Sequence, residues 1–221
     1  MIRPPRVLDL DLGLRPEEAI RYLGYPHGRE ASKAARERLD ALWPHALALI
    51  APRGTYALVG RTEAAAIGMA EPSELVAVAA CTIGPALEQE SERRAAGDGL
   101  LDALVLDAIG SAAAEAAADS LNLELCSVAA ECDLEATPRV SPGYGSWDTA
   151  CQASLLALLP VDEVGIRLTS GAMMVPRKSV SFAIEFVAPG GTRGHAASRC
   201  ARCGLERCRH RLAPFTGDAP G

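Results

Sequence analysis

The ten residues 139-RVSPGYGSWD-148 carry two glycines, a proline, an arginine and two aromatics. They stand between a long alanine-rich run and a short leucine-rich one. Glycine permits positive φ and lets a ligand approach the backbone. Pro142 fixes its neighbours, so 142-PGYG-145 reads as a tight, preset turn with exposed N–H and C=O groups. Arg139 offers a fork that matches a carboxylate bidentately, and Tyr144, between the glycines, has a ring able to project outward. The loop is shaped either for a small zwitterion with a flat ring or for a plain structural turn. Composition leaves both readings open.

Outward from this loop, 113-AAEAAADSL-121 lies in the alanine-rich run, and 165-GIRLTSGAMMVPRKSVS-181 follows the leucine-rich one. Together with 139-RVSPGY-144, these segments resemble three motifs of the activation (reactivation) domain of cobalamin-dependent methionine synthase. They are its A-E-A-x-A-E helix, its R-x-x-x-G-Y loop and its G-x-x-L-T-E-S-x-x-M-x-P-x-x-S-V-S block, in the same order. The segment 20-IRYLGY-25 and the strand and helix of 75–100 resemble standalone members. The resemblance spans roughly residues 15–188.

The resemblance implies an α+β fold, a curved antiparallel sheet flanked by helices, with residues 1–190 as the domain; residues 191–221 read as a separate Cys/Arg-rich tail that the resemblance does not reach. It implies an S-adenosylmethionine-binding factor that supports reductive methylation of cob(II)alamin on a separate corrinoid methyltransferase, with methionine synthase the default. A reduced flavodoxin or ferredoxin would supply the electron. Arg139 would pair with the ligand carboxylate and Glu115 with its ammonium. Backbone groups at Val140 and Ser141 would read the adenine, Gly143 would allow close approach, and Tyr144 would lie at the cobalamin face as the catalytic residue. A sulfonium is a good leaving group, so placement is the main task and no general base is required. Two departures stand out. Ser170 occupies the place of the block's glutamate, and the family's N-terminal aspartate has no secure match, with Asp9 and Asp11 as candidates. The chain has no D-x-H-x-x-G motif, so cobalamin would come on a partner.

Composition allows a sizeable core. Of 221 residues, 49% are hydrophobic but only 4% aromatic, so the core must be built from Ala, Leu and Val. The net charge of −6 provides no field for nucleic acid or an anionic membrane. No run reaches the ~18–20 apolar residues of a membrane span. The start, MIRPPRVLDLDLG, has charges where a signal peptide needs an apolar core. A cytoplasmic location is expected, with Cys81, Cys126, Cys132 and Cys151 as thiols packed like small hydrophobes.

Periodicity predicts a strand over 6–13, a short helix over 16–25 with Gly24 as its stop, and a helix over 29–50 that Pro44 kinks or splits. A strand follows over 55–60, and 75–84 reads as a buried strand turning into a helix. Gly97 and Gly99 divide 85–124 into two helices. A helix over 149–159 is capped by Asp148 or Thr149. Segments 166–174 and 179–187 read as a strand pair across a turn at 175–179, and Met173 and Met174 as packing residues.

The tail 200-CARCGLERCRH-210 gives C-x₂-C-x₄-C with a histidine two residues on. Cys200, Cys203, Cys208 and His210 suit a tetrahedral zinc site. Three cysteines with a fourth ligand from elsewhere suit an iron–sulfur cluster. Free thiols are the third possibility. The alternative function that follows is an iron–sulfur or zinc accessory protein for a corrinoid protein, without S-adenosylmethionine. A module that only docks on a corrinoid protein is another.

Overall fold

Strand β3 (Leu75–Thr82) is apolar at nearly every position because both of its faces are covered. The computed structural model describes residues 3–25 and 30–190. In it, β1 (Arg3–Asp9), β2 (Arg53–Gly60), β3, β7 (Ser179–Val187) and β4 (Glu135–Ala136) form a five-stranded sheet in the order β1-β2-β3-β7-β4. Every pair is antiparallel. With a helix layer on one face and a second layer on the other, β2 and β3 lose the polar-out alternation of a half-solvated strand. The fold is α+β, an antiparallel sheet flanked by helices, as expected from the sequence.

Alternate residues of each strand serve two cores. Tyr56, Leu58, Ala77, Ala79, Phe182 and Ile184 face a layer built from α1 (Pro16–Ile20), α2 (Lys33–Leu49), α4 (Ala86–Ala95) and α5 (Leu100–Ala130). Ala57, Val59, Val76, Val78 and Ala183 face a second core of Trp147, Leu155, Leu159, Val164 and Ile166, which includes α6 (Gln152–Leu156). Helix α5 has 31 residues and so runs about 46 Å. Its buried side is lined by Ala108, Ala112, Ala113, Ala117 and Ala118, small enough for the backbone to lie close to the sheet. At Gly110 a Cβ would come within 3.3 Å of both Leu87 and Lys178.

The local signals explain most boundaries. Pro16 opens α1, and Gly24, at φ +83°, ends the turn that follows it. Ser32 caps α2 by accepting from Ala35 N–H at 3.2 Å. Pro44 sits inside α2 without splitting it: the lost backbone hydrogen bond is offset by Leu39, Leu42 and Ala46, all buried against the sheet layer. The first strand ends at Asp9 rather than Gly13, since Leu10, Leu12 and Leu14 pack against the core from irregular chain. Helix α3 (Arg61–Ala66) follows β2 directly and was not legible in the sequence.

The expected pairing of 166–174 with 179–187 is corrected. Residues 166–174 fold back on their own neighbours as a hairpin, β5 (Arg167–Leu168) with β6 (Met174–Val175). Strand β7 instead pairs with β3 from Ser179 to Phe186. The apolar run 75–82 offers a pairing partner to eight of the nine β7 residues, whereas a hairpin partner two residues long does not. The helix predicted over 149–159 is also shorter. A 3₁₀ turn at Thr149–Cys151, capped by Asp148 accepting from Ala150 N–H at 2.8 Å, leads into α6.

Helices α2, α4 and α5 are joined by ions. Asp102 accepts from Arg38 and from Arg94, and Glu90 accepts from Arg93, Arg94 and His45. The guanidinium groups of Arg93 and then Arg94 hold the Glu90 carboxyl down at about 2, against an ordinary 4.5. Arg38 and Arg94 lower that of Asp102 as well. A folded-state value below the unfolded one contributes stability that is complete above the unfolded value and is lost as pH falls through the folded one. Melting temperature should therefore fall as pH is lowered from about 4.5 to about 2. In Glu90→Gln the fall should be shallower; parallel wild-type and variant curves would show that the network is not the cause.

Candidate functional site

The bend that follows α5 brings Arg139 back against that helix. Val140 makes an isolated antiparallel bridge with Ala183 on the outer edge of β7, donating to Ala183 C=O at 2.9 Å and accepting from its N–H at 2.8 Å. This fixes the neighbouring Arg139 side chain on the α5 face, where its guanidinium carbon lies 5.5 Å from the centre of the Phe182 ring. Only 5% of that side chain is exposed.

Two carboxylates from α5 meet it. Arg139 Nη2 donates to Glu115 Oε2 at 2.7 Å, and Nη1 donates to Asp119 Oδ1 at 2.8 Å. Glu115 and Asp119 are four residues apart on one helix face, which places both acids over one guanidinium. Arg139 and Glu115, joined in the sequence reading, are thus brought into direct contact. Asp119 was missed. The i,i+4 spacing from Glu115 was the signal that could have found it. Beneath them, burial pushes the Cys81 thiol up to about 12, with Arg139 opposing the shift. That group stays a neutral thiol at any ordinary pH.

The loop beyond is preset as the glycines and proline suggested. Gly143 has φ +94° and donates its N–H to Trp147 C=O at 2.7 Å; a Cβ there would meet Thr149 Oγ1 at 2.9 Å. Tyr144 N–H donates to Ser141 C=O at 3.1 Å, and the tyrosine ring points outward, 67% exposed. The Val140 N–H, expected to face a ligand, is instead committed to the sheet, because strand pairing at the β7 edge claims it. The Val140 side chain is exposed.

Trp147 anchors the far end of the loop and also escaped the sequence reading. It is buried in the second core, and its indole N–H donates to Ile67 C=O at 2.8 Å. Gly68, at φ +87°, makes room for it; a Cβ there would lie 2.5 Å from Cys151 Sγ and 3.3 Å from the indole nitrogen.

Other sequence candidates fall elsewhere. Asp9 is on β1, at the opposite side of the sheet, paired with Arg53. Ser170 is exposed in the β5–β6 turn. Met174 packs against the second core, but Met173 is exposed rather than packed, since the hairpin tip carries it off the sheet. Cys81 is buried, Cys132 and Cys151 are half-buried and Cys126 is exposed, so only the first fits the expectation of a core thiol. Arg177 is paired with Glu88 and Glu92, and Lys178 with Asp107. A groove of about 450 Å³ lined by Ala34, Arg38, Leu101 and Asp102 lies near the start of α5. Thirteen residues separate Asp102 from Glu115, about 20 Å along the helix, so the groove is remote from Arg139. Cys200, Cys203, Cys208 and His210 lie outside the described residues. Among the described residues no group of three or more His, Cys, Asp or Glu side chains is arranged to hold a metal ion, and no helix is long and apolar enough to cross a membrane.

No protein-family model matches the chain, and no curated protein sequence matches it either. Among solved structures, a crystal structure of the MetH reactivation domain bound to AdoHcy is similar, with a TM-score of 0.58 and 18% identity, covering 86% of this chain and 80% of that one. The fold is that of the MetH reactivation domain. At this level of identity the likeness to the reactivation domain speaks to architecture.

The site predicts its own energetics. A guanidinium this buried needs a carboxylate partner, but its two acids are 36% and 61% exposed and can be hydrated once it is gone. Arg139→Ala should cost about 1–2 kcal/mol in urea denaturation, less than breaking a fully buried pair. Arg139→Met, which keeps a stem on Phe182, should cost less than Arg139→Ala. Equal losses would mean that stem packing contributes nothing.

Proposed function

We propose that the chain is an S-adenosylmethionine-binding reactivation factor for a corrinoid-dependent methyltransferase on a separate polypeptide, with methionine synthase the default partner. The observation that carries this is the meeting of Arg139 and Glu115. A cation from the loop and an anion from the helix are the two charges that the amino-acid end of the ligand requires, and motif resemblance named the same two residues. The fold likeness to a reactivation domain bound to AdoHcy, the demethylated product of such a donor, supports the same assignment.

On this proposal Arg139 takes the ligand carboxylate and Glu115 the ammonium. Gly143 lets the backbone come close, and Ser141 with the exposed side of Val140 lines the adenine. Tyr144 stands at the rim where the partner's corrin would arrive. Cobalamin on the partner would supply the nucleophile for the methyl group, and a reduced flavodoxin or ferredoxin the electron. The residues here bind and orient the donor, and proximity supplies the rate. The cysteine tail is offered as a metal site, zinc or iron–sulfur, in the cytoplasm.

One observation favours a second reading, a docking module that binds no sulfonium: the Arg139 guanidinium is already satisfied by two carboxylates of its own chain. Titration calorimetry with S-adenosylmethionine separates the two. Saturable binding to the wild type, weakened about tenfold or more by Arg139→Ala, is the expected outcome, since a hydrogen bond to a charged group contributes about 1.5–3 kcal/mol. A folded wild-type chain that gives no heat at millimolar ligand would leave the docking module.

The tail has a separate test. Anaerobically purified protein should contain about one zinc or a visible-absorbing cluster, lost on replacing Cys200 and Cys203 by Ser. A colourless preparation free of both metals would refute that part alone.

A further inference from the structure

Resting on the ligand reading above, we propose that Asp119 is a positioning residue for the donor's carboxylate. It holds the Arg139 guanidinium while Glu115 changes partner.

The geometry divides the guanidinium between two acids. Glu115 sits on Nη2 at 2.7 Å and Asp119 on Nη1 at 2.8 Å, while Phe182 backs the group at 5.5 Å. An incoming amino acid brings one charge of each sign. Its ammonium competes with Arg139 for Glu115, and its carboxylate competes with Glu115 for Arg139. One internal ion pair is exchanged for two pairs with the ligand.

During that exchange a guanidinium that is 5% exposed cannot stand without a partner, because an uncompensated buried charge costs several kcal/mol. Asp119 removes this obstacle. It is bonded to the other nitrogen, so Glu115 can turn away while Arg139 remains paired and its plane stays fixed. The two acids are also unequal in burial. Glu115 is 36% exposed and Asp119 61%. The more buried acid is placed to contact the ligand, and the more exposed one is placed to brace the arginine from outside.

The effect of Asp119 is thus transmitted through Arg139, and it is greatest for a ligand that takes Glu115 without bringing a carboxylate of its own. This separates it from a residue that merely stabilises the fold. The test compares Asp119→Ala, Asp119→Asn and Asp119→Glu in the full chain, by calorimetry with S-adenosylmethionine and by competition with its decarboxylated analogue, which keeps the sulfonium and the ammonium. Urea denaturation monitors folding. Asp119→Ala should weaken S-adenosylmethionine about tenfold, the size of one charge-assisted hydrogen bond. The analogue should lose more, because its ammonium takes Glu115 and it brings no carboxylate to replace that acid on the buried guanidinium. Asp119→Asn, which keeps an acceptor without the charge, should fall between, and Asp119→Glu should recover most of the loss.

Unchanged S-adenosylmethionine affinity in Asp119→Ala overturns the proposal, as does an equal loss for both ligands or a failure of Asp119→Glu to restore binding. If the wild type binds and Arg139→Ala abolishes binding while Asp119→Ala does not alter it, this inference alone fails. If the wild type binds no S-adenosylmethionine, the underlying ligand reading fails with it.

Discussion

A buried positive charge must be answered, and that of Arg139 is answered twice. The guanidinium lies on Phe182 with almost no access to water, and both carboxylates that meet it come from one face of α5. This requirement reaches far into the fold. Helix α5 must cross the sheet at the register that puts Glu115 and Asp119 over β7. The alanines that bring its backbone close make the reach possible, since bulkier residues would lift the acids away from the guanidinium. The β7 edge must in turn remain open long enough to pair with Val140, which sets the direction of the neighbouring arginine.

The two-layer covering of the sheet gives that arrangement its rigidity. With β2 and β3 buried on both faces, neither strand can shift register without exposing one core or the other. The ion network of α2, α4 and α5 fixes the far end of the same long helix through Arg38, Arg94 and Asp102. One end of α5 is therefore secured by salt bridges and its middle by small-residue packing, and the acids that matter sit on the secured middle.

Much of this was legible in the residues, for identifiable reasons. The long helix, its start after Gly99, the Asp148 cap and the preset loop are local features, and local chemistry fixed them. The meeting of Arg139 and Glu115 was legible because motifs in the right order named them together. What escaped was non-local. The true partner of β7 was hidden because 75–82 and 166–174 are both apolar enough to pair with it, and only the covering of both sheet faces decides between them. Asp119 was hidden because its role depends on how α5 is rotated about its axis. Trp147 read as a loop aromatic, and nothing in its neighbours announces that Ile67 and Gly68 make a slot for it.

The bridge of Val140 to Ala183 has one more implication. Arg139, just before it, packs on the helix-covered side of the sheet, and Trp147, shortly after it, packs on the reverse side. The intervening chain therefore wraps the sheet's rim like a buckle, with Val140 as the pin. Seven residues separate an arginine on one side from an indole on the other, so this short strap ties the two layers together at the sheet's rim.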